Sequence, residues 1–104
     1  MSVFSKRLKE ARRAAGLSQE KLGVLAGIDE MSSSARMNQY ERGKHVPDFS
    51  LVTRVAGVLD VPECYLWCSD DDMAALLVQL HRIPSEQRTE ALKAAGQLLR
   101  EIYS

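Results

Sequence analysis

This sequence is poor in the residues that bring chemistry or anchorage. Of 104 residues two are cysteine and two histidine, and the formal net charge is zero. Cys64 and Cys68 lie four apart in Pro62-Glu63-Cys64-Tyr65-Leu66-Trp67-Cys68, with no histidine within ten residues. A zinc site built there lacks ligands. The pair reads either as a redox couple on one helical face or, more commonly, as two reduced thiols packing as small hydrophobes. No window approaches the roughly 20 consecutive apolar residues of a membrane span. The opening Met1-Ser2-Val3-Phe4-Ser5-Lys6-Arg7 lacks the apolar stretch of a secretory signal. The expected location is therefore the cytoplasm, with no membrane partner.

Catalytic constellations are equally scarce. His45 and His81 stand in different segments without a nucleophile at motif spacing. Glu20, Glu30, Glu41 and the aspartates form no recognisable catalytic pair. A glycine-rich phosphate loop is missing too. These gaps argue against an enzyme and against any metal or cofactor.

What is present is a polarised charge. Residues 1–45 hold nine Lys or Arg against five Asp or Glu, a net of +4; residues 46–104 hold five against nine, a net of −4. A basic half can face phosphates while an acidic half stays clear of them, although a chain this short can acquire such asymmetry by chance.

Apolar residues recur at helical spacing and alternating β-branched runs are absent, so the fold class is all-α. Val3 to Ala15 places Phe4, Leu8, Ala11 and Ala15 on one face, with Ser2 as cap and Gly16 as terminator. Ser18 opens a second helix over 19–26, turning Leu22, Leu25 and Ala26 inward, and Gly27 stops it. The serine-rich stretch 28–34 reads as a turn, and a third helix is expected from Ser34 to Arg42. Asp48 caps a fourth over 49–59, burying Leu51, Val52, Val55, Ala56 and Leu59. A short fifth follows Pro62. Ser69-Asp70-Asp71-Asp72 breaks the chain. Two amphipathic helices follow, over 73–83 and, capped by Ser85, over 86–103. The expected domains are residues 1–68 and a helical extension over 69–104.

The segment Leu17 to Gly43, LSQEKLGVLAGIDEMSSSARMNQYERG, resembles the Xre-type helix-turn-helix domains of the lambda repressor and Cro class. Leu17-Ser18-Gln19-Glu20, Leu22, Ala26-Gly27-Ile28, Met37 and Tyr40-Glu41-Arg42-Gly43 carry the likeness; Pro47 and Leu59-Asp60-Val61-Pro62 extend it over residues 3–68. It implies a five-helix lambda-repressor-like domain and sequence-specific binding of double-stranded DNA, with repression the expected outcome. One departure is clear. Aligning Met37 leaves four extra residues, Asp29 to Ser32, which either lengthen the turn or extend the recognition helix by about one turn.

A recognition helix meets base edges with polar, outward side chains near its start. Ser34, Ala35, Arg36, Asn38 and Gln39 are the candidate base readers, with Met37 and Tyr40 facing inward; a merely solvated face would look similar. Asn38 and Gln39 suit adenine, Arg36 guanine or phosphate, and Ala35 a thymine methyl. The resemblance makes Gln19 a phosphate contact. Arg42, Lys44 and His45, in a basic loop, and more weakly Lys21, join it. The resemblance also implies a structural ion pair between Arg12 and Glu41, with Arg13 the neighbouring alternative.

One helix reads few base pairs, so a homodimer on a palindromic operator is expected. Leu76, Leu80, Ile83, Leu92, Leu99 and Ile102 are the candidate dimer contacts. The expected arrangement is mixed, one helix packing on its own chain and the other dimerising. The competing readings are that both merely cover the chain's own core, or that they bind a protein partner in the manner of an antitoxin, with DNA binding secondary.

Overall fold

The computed structural model describes residues 2–104, and every regular element among them is helical. The elements are α1 (Val3–Ala14), α2 (Gln19–Leu25), α3 (Glu30–Glu41), α4 (Phe49–Leu59), a 3₁₀ helix (Glu63–Trp67), α5 (Asp71–Arg82) and α6 (Ser85–Tyr103). Side-chain caps set most of the starts. Ser2, Ser18, Asp48 and Asp70 accept from the backbone amides of Ser5, Lys21, Leu51 and Met73. None of the described helices is long and apolar enough to cross a membrane.

The core joins the apolar faces of α1 to α4 and the 3₁₀ helix. Phe4, Leu8 and Ala11 meet Leu22, Ala26, Ile28, Met37 and Tyr40, and Leu51, Val52, Val55, Ala56 and Leu59 close the other side. Leu66 is fully buried and Tyr65 nearly so. The segment follows the tight 3₁₀ path, with Tyr65 N–H donating to Pro62 O at 3.0 Å and Cys68 N–H to Tyr65 O at 3.1 Å. The fifth element is thus a 3₁₀ turn rather than an α-helix.

Other expectations also shift. Leu25 and Ala15 are exposed. On the seven-residue α2 the buried stripe is Leu22 and Gly23, continued by Ala26 beyond its end, and Leu25 lies beside it. Ala15 follows the last turn of α1, past the reach of the core. The third helix begins at Glu30, not Ser34, because Asp29 rather than a serine accepts from Met31 N–H, at 3.1 Å. The last helix starts at Ser85 with no side-chain cap. Its corner is held instead by Arg88, which donates to Leu80 O, His81 O and Ile83 O at 2.9, 2.9 and 3.3 Å. Those carbonyls lie at the end of α5, where a cation is favoured.

Helix α5 is fastened to the domain by Arg7, a guanidinium only 3% exposed. Its Nε donates to Cys68 O at 2.8 Å, and Nη2 donates to Ser69 O at 3.2 Å and Asp71 Oδ1 at 2.8 Å. Nη1 pairs with Glu10 at 3.0 Å. Burial of the charge is tolerable because its donors are matched so fully. At the far end of α5, Arg82 donates to Asp60 O at 3.0 Å and pairs with the Asp60 carboxylate. Helix α6 has no buried residue and contributes to an elongated molecule of 54 × 28 × 23 Å.

Candidate nucleic-acid interface

The surface of interest is the outer face of α3, and its posture follows from how α2 and α3 meet. Between them Gly27 sits at φ +94°, where a side chain would be strained, and Ile28 is buried. Arg54 of α4 secures this turn by donating from Nε to Ala26 O at 2.7 Å. Gly23 marks the crossing point. A Cβ placed there would stand 1.9 Å from Ser33 Oγ and 3.1 Å from Ser33 Cβ. The buried Ser33 hydroxyl donates to Glu20 O at 2.7 Å, tying the first turn of α3 to the backbone of α2. The residues Asp29 to Ser32 therefore cap and extend α3 rather than loosen the turn.

At its other end α3 is held to α1. Glu41 is 3% exposed and faces Arg12 in a two-pronged ion pair, with Nη2 to Oε1 at 3.0 Å. Arg12 also donates from Nη1 to Leu17 O at 2.9 Å. Gln19 completes the cluster, its Nε2 reaching Glu41 Oε1 at 3.2 Å and Asn38 Oδ1 at 3.3 Å. Ser5 donates its hydroxyl to Tyr40 O at 3.0 Å. Met37 and Tyr40 fill the core beneath. The three-helix junction fixes the rotation of α3 about its own axis.

That rotation decides what is presented. Ser34, Ala35, Arg36 and Gln39 are exposed, and Asn38 is half-buried beside Gln19. Arg36 lies round the flank. Its Nη2 donates to Tyr40 Oη at 2.9 Å, and the guanidinium stands 5.9 Å from the Tyr40 ring centroid. Lys21, Arg42, Lys44 and His45 are exposed around the helix. Gln19 is half-buried with its amide nitrogen turned toward Glu41 and Asn38, so it meets a phosphate only by swinging away from them. Leu76, Leu92, Leu99 and Ile102 are exposed on α5 and α6, whereas Leu80 and Ile83 are half-buried.

Four residues that matter here are not evident from sequence pattern. Gly23 and Ser33 form the crossing, Arg54 clamps the turn, and Met31 projects from the added turn of α3 with 94% of its surface exposed. A glycine inside a helical pattern is the available signal for the first, since such a glycine often marks close backbone approach. A lone arginine in the apolar run of α4 is the signal for Arg54.

A short helix, a tight glycine turn and a second helix with a polar outer face together define the helix-turn-helix class of DNA-binding fold. A helix-turn-helix domain family model matches residues 3–65, and the chain belongs to that family. The solved structure of the transcriptional regulator BswR is similar over the whole length: 44% identity, 97% of this chain and 98% of that chain covered, TM-score 0.84. None of the curated proteins matches the chain in sequence.

Proposed function

We propose that the chain is a sequence-specific transcriptional regulator of the Xre type that represses from a palindromic operator as a homodimer. The observation that carries this reading is the outer face of α3, exposed and polar at Ser34, Arg36 and Gln39, while its inner face is pinned by Arg12–Glu41 and Ser33–Glu20. In it, Ser34, Ala35, Asn38 and Gln39 read bases in the major groove, with Arg36 at the flank. Lys21, Arg42, Lys44 and His45, with Gln19 once released, hold phosphates on either side. The likeness to BswR, a transcriptional regulator by its description, supports the regulatory role.

Residues 1–68 act as the reading domain and 69–104 as the dimerisation device. In support, Leu92, Leu98, Leu99 and Ile102 on α6 are each at least half exposed and share one face of the helix, a contiguous apolar stripe of the kind that marks an interaction surface. Beside it, Pro62, Leu77, Leu80, His81, Arg88 and Leu92 line an open cleft of about 280 Å³. A second copy of the same stripe is a self-complementary cover for both.

Selection of bound duplexes from a random DNA pool by the full chain tests the reading. Enrichment of an inverted repeat with half-sites about one helical turn apart is expected. A pool that stays random after repeated rounds would contradict it. The exposed α6 stripe also favours a second reading, in which a different protein covers it and DNA binding is secondary. A chain that is monomeric by light scattering at micromolar concentration would favour that alternative.

A further inference from the structure

Met31 is among the most exposed large apolar side chains of the molecule, and it belongs to the turn of α3 that Asp29 to Ser32 add. At helical spacing it stands in one row with Ala35, Asn38 and Arg42, the row diametrically opposite the buried Ser33, Met37 and Tyr40. The thioether therefore lies on the outer face, one turn ahead of the polar readers, where it covers nothing of its own chain. Its neighbours Asp29 and Glu30 are carboxylates, so this tip offers no cation to a phosphate, and the contact Met31 can make on DNA is an apolar one. The apolar group that major-groove base edges offer is the thymine methyl.

We propose that Met31 is a specificity-determining residue that recognises a thymine through its 5-methyl group, with Ala35 one turn behind it widening the apolar spot. The inference rests on the DNA-reading role of α3. It gives the added turn a role of its own, carrying recognition one base step beyond the reach of Ser34.

Replacing thymine by uracil removes the methyl and leaves every hydrogen-bonding group in place, which gives a clean test. In the duplex enriched from the random pool, each thymine is exchanged singly for uracil, and affinity is measured for the wild-type chain, Met31→Ala and Met31→Leu. One thymine per half-site is expected at which uracil weakens wild-type binding by about fourfold, the worth of one buried methyl group. Met31→Ala should lose most of the preference at that position, with Ala35 alone leaving a small remainder, and Met31→Leu should keep it. A Met31→Ala chain that retains the wild-type thymine-to-uracil ratio at every position would overturn the proposal, as would a wild type that discriminates operator from random DNA yet ignores every exchange. A wild type that enriches no sequence at all removes the reading of α3 itself, and this inference with it. Because the side chain is 94% exposed, the thermal midpoints of all three chains should coincide.

Discussion

Glu41 shows how a single buried carboxylate can orient a whole helix. It is shielded from water and satisfied by Arg12 and Gln19, so removing Arg12 leaves it stranded. Arg12→Ala should cost about 3 kcal/mol or more, measured as a lowered denaturation midpoint in urea. Arg12→Lys should recover only part of it, since a point charge does not match both carboxylate oxygens. Gly23 is the steric counterpart. Gly23→Ala gains helix propensity, yet the new methyl overlaps Ser33, for a net loss of about 1–2 kcal/mol. Adding Ser33→Ala should restore part of that stability although Ser33→Ala alone is destabilising, a sign reversal that a double-mutant cycle in urea detects. On the outer face the expectations concern affinity instead. Gln39→Ala should weaken operator binding by about 1–3 kcal/mol and relax the preference at one base position. Lys44→Ala should weaken binding to all sequences alike and shallow the salt dependence.

Among the elements, α1, α2 and α4 were legible because a serine or aspartate cap and an apolar stripe agree in each, with Gly16 and Gly27 stopping the first two. Helix α3 was legible in its C-terminal half alone. Its start was hidden because Asp29, Ser32, Ser33 and Ser34 are all competent caps, and what selects Asp29 is the Ser33 contact with α2, a tertiary fact. The same contact explains why four added residues lengthen the helix and leave the turn tight. The outer face of α3 could be anticipated from its helical spacing, but the engagement of Gln19 with Asn38 and the sideways set of Arg36 could not, since each depends on a side-chain partner fixed by packing.

At the scale of the whole molecule, the relation between α1 and the C-terminal helices turns on Arg7. The Asp71 carboxyl is held below its ordinary range, first by the hydrogen bond from Arg7 and then by the nearby Lys6 charge. A depressed carboxylate contributes stability that is fully present above its unfolded value, near 4, and is lost as pH falls through the lower folded value. Helix α5 should therefore loosen from α1 as pH drops below about 4, seen as faster amide exchange in α5, and Asp71→Asn should show that looseness already at neutral pH. If α6 carries the proposed dimer contact, Leu99→Glu with Ile102→Glu is expected to yield monomers by light scattering with the helical signal of residues 1–68 intact. The central claim is tested most directly by titrating the full chain against an enriched operator and a random duplex of equal length over a series of salt concentrations. A preference of about a thousandfold or more, with affinity falling steeply as salt rises, is the predicted result. Equal and salt-insensitive binding to the two duplexes would contradict it.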